Sequence, residues 1–150
     1  MEKKYLFLLL SLTLSFFSVA QKKIILLKDV PIASVRQFNS KFPDAGLETW
    51  KKTNGSNYEA SFIYKTFQTN ALFDEFGNVL QIETIQSISS LAPDAGQYIN
   101  VNYPGYHVEN VVMTESGEEI FYFVNIQKEI RNSLRIVFDT NGNYLRTLYE

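Results

Sequence analysis

Between Tyr58 and Lys65 the chain alternates: Tyr58, Ala60, Phe62 and Tyr64 fall on one parity, Glu59, Ser61 and Lys65 on the other. A period of two is that of a strand with one face in an apolar core and the other in water. Upstream the spacing differs. Ile32, Val35, Phe38 and Phe42 recur at intervals of three, three and four, which gathers them on one side of a helix. Ser34, Arg36, Gln37, Asn39, Ser40 and Lys41 take the rest of its surface. Val30-Pro31 opens this helix, proline being favoured where its missing N–H has no intrahelical partner to lose. Pro43 ends it, because a residue before proline is pushed out of the α region. Strands are predicted over 47–52, 57–65, 67–74 and 78–85, with Asn54-Gly55 as a hairpin turn between the first two. Residues 21–29 form a short apolar patch with polar ends, read as an extended lead-in.

The same order is predicted again. Leu91-Ala92-Pro93 opens a helix carrying Ala95, Tyr98 and Ile99, which stops at Tyr103-Pro104. Strands follow over 106–114, 119–128, 132–139 and 144–149, with Glu115-Ser116-Gly117-Glu118 as a turn. Phe73-Asp74-Glu75-Phe76-Gly77-Asn78 in the first half recurs as Phe138-Asp139-Thr140-Asn141-Gly142-Asn143 in the second. In each copy an apolar run ends in Phe-Asp, and Gly-Asn leads into the next run. Asp can bond backbone two residues on, and Gly supplies the positive φ of a tight turn. The Phe42-Pro43 and Tyr103-Pro104 stops are 61 residues apart and the two Phe-Asp turns 65 apart, so four extra residues belong to the second half's central strands. One helix covers only part of a sheet face. The expected fold is therefore α+β: a tandem repeat of helix plus four-stranded antiparallel meander. The two units join in one continuous sheet of about eight strands, with both helices on one face and the other face open.

The first twenty residues stand apart. Lys3 and Lys4 precede an apolar run from Tyr5 to Phe17, and Ser18-Val19-Ala20 supplies the small residues that a signal peptidase reads. The run is shorter than the roughly 20 residues needed to span a bilayer. Residues 1–20 are read as a signal peptide removed on export, which predicts a periplasmic or secreted protein. The chain has no cysteine, so it offers neither a lipoprotein anchor nor a disulfide. Of the 150 residues, 130 remain after cleavage, the size of one domain. The loss of Lys3, Lys4 and Glu2 leaves 12 basic and 15 acidic residues, a net charge of −3, scattered along the chain. A nucleic-acid partner would call for a basic stripe, and the sequence has none.

These landmarks together resemble the β-lactamase-inhibitor-like (BLIP-like), PepSY-like family of exported Bacteroidetes-type proteins. The resemblance is carried by Val30-Pro31, Phe42-Pro43-Asp44-Ala45, Trp50 and Ala71-x-Phe73-Asp74-x-x-Gly77 in the first half. In the second it is carried by Leu91-Ala92-Pro93, Tyr98-Ile99, Asn102-Tyr103-Pro104-Gly105 and Phe138-Asp139-x-x-Gly142. It implies a single domain over 21–150, made of two repeats at about 21–88 and 89–150, and an extracytoplasmic location. The inhibitor in the family name refers to likeness of fold. The resemblance brings no settled ligand and no catalytic residue.

Candidate chemistry is sparse. Nucleophilic catalysis needs a base beside the nucleophile, and the sequence offers one histidine, His107, no cysteine and no Gly-x-Ser-x-Gly elbow. His107 reads as an exposed or edge residue, and no catalytic residue is assigned. One histidine cannot build a zinc site. Asp139-Thr140-Asn141-Gly142-Asn143 echoes part of a calcium loop but lacks the remaining ligand positions and the distal bidentate Glu. A hairpin turn explains it and its copy, so no metal or cofactor is expected. Glu115, Glu118 and Glu119 flank a turn and read as solvated charge.

The segment Ile120-Phe121-Tyr122-Phe123-Val124-Asn125-Ile126 is apolar on both parities. Either Ile120, Tyr122, Val124 and Ile126 face the helices, leaving Phe121 and Phe123 outward, or the reverse; the aliphatic Ile120, Val124 and Ile126, suited to lie beneath a helix, favour Phe121 and Phe123 outward. Either a loop or second copy covers that outward pair, or Phe121 and Phe123, joined by Trp50, form an aromatic patch on the open face for a partner. The expected function is a non-enzymatic exported binding module that engages an envelope protein or peptide through that face. The alternative is a carrier of a small molecule or lipid held between helices and sheet.

Overall fold

The computed structural model describes residues 23–53, 55–129 and 132–149. The predicted signal peptide and Asn54 of the predicted Asn54-Gly55 turn lie outside them. Nine strands form one sheet in sequence order, each antiparallel to its neighbours. They are β1 (Lys23–Ile25), β2 (Gly46–Lys52), β3 (Tyr58–Tyr64), β4 (Phe67–Phe73), β5 (Val79–Gln86), β6 (His107–Ser116), β7 (Glu119–Gln127), β8 (Ser133–Phe138) and β9 (Tyr144–Tyr149). Helix α1 (Ile32–Lys41) lies between β1 and β2, and α2 (Pro93–Asn102) between β5 and β6. The α+β class and the single antiparallel sheet follow the sequence expectation. The ninth strand is β1, where the lead-in pairs Ile25 with Trp50. A one-turn 3-10 helix follows it at Leu27–Asp29, and another follows β5 at Ile88–Ser90.

The two helices end alike. Phe42 (φ −129°, ψ 63°) and Tyr103 (φ −127°, ψ 60°) leave the α region ahead of their prolines. Their N–H groups still donate to Phe38 and Ile99 carbonyls, at 2.8 and 2.9 Å. The core face of α1 differs from the one its spacing suggested. Ile32 is 64% exposed, whereas Ser34 is fully buried beside Val35, Phe38 and Phe42. The cause is the turn after β4, which sits on the first turn of α1. The Ser34 hydroxyl donates to the Asp74 carbonyl at 2.8 Å, and Ile32 lies about 160° around the helix from it.

Each helix heads its own core. Phe38 and Phe42 pack with Trp50, Tyr58, Phe62 and Phe73, and Ile99 and Ala95 pack with Val111, Val124, Ile126, Ile136 and Phe138. Both cores lie on one side of the sheet. Ile82 belongs to the first, and Gln86, on the same parity of β5, stands opposite Val111 of the second. At about 25 cal/mol per Å² of apolar surface, each fully buried Phe or Ile contributes roughly 1.5–3 kcal/mol. These two clusters therefore supply most of what opposes the chain's conformational entropy.

Both Phe-Asp-x-x-Gly-Asn segments form the same turn. Asp74 Oδ1 accepts the N–H groups of Phe76 and Asn78 at 2.9 and 2.8 Å, and its Oδ2 accepts the Asn78 amide at 2.7 Å. Asp139 does the same with Asn141 and Asn143, at 2.9, 2.8 and 2.8 Å. Gly77 and Gly142 take φ +89° and +86°.

Candidate functional site

Cross-strand register assigns every strand residue to a face. Phe123 stands opposite Val112 on β6 and Val137 on β8, and Phe121 opposite Thr114. Tyr122, Val124 and Ile126 point into the helix-side core. The predicted parity is therefore the observed one, and Phe121 and Phe123 lie on the uncovered face, half-buried. Ile120 points to the helix side but lies beyond the helices and is 39% exposed.

Trp50 is not part of this patch. It pairs with Ala60, is 3% exposed and stands edge-on to Phe38 with ring centroids 5.4 Å apart. The sequence expectation put it on the wrong face. The predicted strand began at Leu47 without a register, and the sheet places Trp50 on the parity of Ala60 and Ala71, two methyl-sized neighbours that leave room for an indole.

The uncovered face carries polar groups that the sequence reading did not single out. Glu59, Asn70, Leu72, Gln81 and Glu83 line a cleft of about 280 Å³ together with Thr53. Glu83, Val112, Thr114, Phe123 and Arg135 line a second, of about 110 Å³. The Gln81 amide donates to Glu83 Oε1 at 2.6 Å. A second chain of bonds runs from Arg135 Nε to Asn125 Oδ1 (2.8 Å) and from the Asn125 amide to Asn110 Oδ1 (2.6 Å). Between them Thr114 is 5% exposed, and its hydroxyl finds no partner among the described residues. The signal for this site was present in the strand parities. Gln81 and Glu83 share one, but their significance depends on which residues lie two and three strands away.

The space between helices and sheet is occupied by the two cores. A notch of about 130 Å³ lined by Lys41, Val79, Ile82 and Glu115 is well below the 300–1,000 Å³ usual for a small-molecule site. His107 is exposed at the start of β6, opposite Gln127. The Asp139 carboxylate is engaged by its own turn through three hydrogen bonds. That coordination of N–H donors holds its pKa below the ordinary carboxylate value, first through the Asn143 side chain, and Asn78 does the same for Asp74.

A nine-stranded antiparallel sheet with two helices on one face is an α+β fold, and solved structures share it. A DUF2874 family protein from Bacteroides uniformis superimposes with a TM-score of 0.72 at 20% identity, covering 79% of this chain and 88% of that one. A candidate periplasmic protein from Bacteroides eggerthii gives 0.72 at 16% identity over the same shares. A BLIP-like protein from Bacteroides fragilis gives 0.67 at 22% identity, over 77% of this chain and 83% of its own. These likenesses agree with the resemblance carried by Val30-Pro31, Phe42-Pro43 and the two Phe-Asp turns. No family model and no curated protein matches the sequence.

Proposed function

We propose that the chain is an exported, non-enzymatic binding module that holds a protein or peptide of the cell envelope on the uncovered sheet face. The observation that carries this reading is the face itself. Phe121 and Phe123 stand half-buried beside the buried Val137, with a charged cleft alongside, on a sheet backed on its other face by two packed cores. Exposed apolar surface rimmed by polar groups marks an interaction site. Export is supported by the pattern of residues 1–20 and by the likeness to a candidate periplasmic protein. His107, the one histidine, lines neither of the two clefts. Among the described residues no helix is long and apolar enough to cross a membrane.

The test compares the native chain, a Phe121→Ser/Phe123→Ser double variant and an Ile32→Ser control, each immobilised and washed with envelope extract. The reading expects a protein retained by the native chain and the control and lost from the double variant. Central aromatic anchors carry about 2 kcal/mol or more of binding. Equal retention by all three, with melting temperatures showing all three folded, overturns it.

A further inference from the structure

Two clefts open side by side on the uncovered face, and Glu83 forms a wall of both. On the β3–β5 side Glu83 and Glu59 bring two carboxylates to a well floored by Leu72 and lined by the amides of Asn70 and Gln81. Lys51 stands across from Glu59 on this face. On the β6–β8 side Arg135 lines the same cleft as Glu83, and Arg146 lies beyond it, across from Val137. Phe123 and Val112 lie between. The face thus changes sign along a diagonal, acidic over β3–β5 and basic over β8–β9, with an apolar saddle in the middle.

A second observation makes this more than a distribution of charge. Thr114, at the saddle, is 5% exposed, lines the smaller cleft and has a hydroxyl without a partner among the described residues. A buried hydroxyl left unpaired is unfavourable, and buried polar groups in native structures are as a rule paired with protein groups or ordered water. At about 110 Å³ the smaller cleft is below the size of a small-molecule site and suits a single side chain.

We propose that this diagonal takes an extended segment of a partner protein bearing a basic residue and, four residues away, an acidic one. The basic side chain enters the Glu59–Glu83 well, the acidic one meets Arg135, and an apolar residue midway packs on Phe123 while its backbone carbonyl accepts from the Thr114 hydroxyl. Strands are about 4.8 Å apart and residues along a strand about 3.4 Å. The two cleft centres then lie on the order of 15 Å apart, close to the roughly 14 Å that four extended residues cover, with side chains making up the rest. Even spacing is required, because alternate side chains of an extended peptide point the same way. This inference rests on the reading that the uncovered face binds a peptide.

The probe is the acetylated, amidated pentapeptide Arg-Thr-Val-Thr-Asp, titrated into nitrogen-15-labelled protein and followed by amide shifts. The expected result is saturable shifts on the strands carrying Glu59, Glu83, Thr114 and Arg135. The dissociation constant should rise about tenfold or more when the peptide's Arg becomes Gln or its Asp becomes Asn, changes that leave the protein untouched. Glu83→Gln should weaken binding by a similar factor. Thr-Arg-Asp-Val-Thr, with the charges on opposite sides of the peptide, should bind far more weakly. Absence of saturable shifts, or shifts indifferent to peptide charge and spacing, overturns the proposal. If that happens while the Phe121→Ser/Phe123→Ser variant still loses its envelope protein, the charge code falls and the binding face stands. If both experiments fail, both readings fall.

Discussion

The half headed by α1 and the half headed by α2 carry the same order of elements on different cores. In the first, Phe38 is surrounded by rings, with Phe42, Trp50 and Phe62 centred 4.9–5.6 Å away and Phe73 at 6.4 Å. In the second, Ile99 occupies the position 61 residues on, among Val111, Val124, Ile126 and Ile136. There Phe138 stays fully buried while the tyrosines take the rim, where Tyr98 stacks on Tyr144 at 4.7 Å and the Tyr103 hydroxyl bonds Thr147 at 2.8 Å. The strands differ in step with this. β2 and β3 have seven residues each, β6 ten and β7 nine. The connection 53–57 between β2 and β3 shrinks to the two residues 117–118 between β6 and β7, while the two-residue turn 65–66 becomes the connection 128–132. Rings dominate the packing under α1, and branched aliphatic residues dominate it under α2.

That contrast can be broken at its centre. Phe38→Ala should cost about 3–5 kcal/mol, and Ile99→Ala about 2–4, because the larger void sits among rings that collapse poorly. Denaturant titration decides it. An Ile99→Ala loss equal to or above that of Phe38→Ala would mean that the second core, not the first, sets stability.

The helix–turn joints sharpen it next. A Cβ on Gly77 would lie 2.7 Å from the Ala33 carbonyl oxygen, and one on Gly142 would lie 2.9 Å from the Ala92 methyl. Both residues also hold positive φ. Gly77→Ala should cost about 2–3 kcal/mol and Gly142→Ala slightly less, since its nearest contacts, the Ala92 methyl and the Ala95 nitrogen at 2.9 and 3.0 Å, are not as short as the 2.7 and 2.8 Å at Gly77. Equal losses would show that φ alone matters.

The joints also differ in one hydrogen bond. Ser34 bonds the Asp74 carbonyl, whereas its counterpart Ala95 has no hydroxyl. Ser34→Ala should cost about 1 kcal/mol in a thermal melt. The opposite sign is expected at the β3–β4 turn. Lys65 and Thr66 hold φ 47° and 74°, conformations suited to Asn-Gly. Lys65→Asn with Thr66→Gly should stabilise by about 1 kcal/mol. No change would show that the turn is already relaxed.

The smallest effect is one the halves share. Asp74 and Asp139 both have pKa values below the ordinary 3.8, held there first by the Asn78 and Asn143 side chains. A depressed carboxylate contributes stability above its unfolded pKa and loses it as pH falls through the folded value. The turns should therefore support the fold at pH above about 4 and stop doing so in stronger acid. Asn78→Ala and Asn143→Ala should flatten the acid limb of a melting-temperature profile by similar small amounts. A large difference between them would show that the two turns are not equivalent.

The strand over 58–64, the two helices and the two Phe-Asp turns were legible because each depends on local periodicity, proline or glycine chemistry within a few residues, whereas the 120–126 strand, apolar on both parities, needed its cross-strand partners to settle which side faces out. Three other things were not legible. Ile32 and Ser34 exchanged roles because the α1 face is set by a turn 40 residues away. Trp50 joined the core because its parity is fixed by pairing with Ala60 and Ala71, and strand register is a property of neighbours. The Glu59–Glu83–Arg135 diagonal was invisible because its members come from strands β3, β5 and β8, and only sheet order and register bring them to one face. The helices, strands and turns follow from short-range sterics and hydrophobic period, which act within a few residues of the chain. The tertiary structure decided which side chains face each other across strands, and with that the site, because lateral register is set by long-range packing rather than by the residue's own neighbours in the chain.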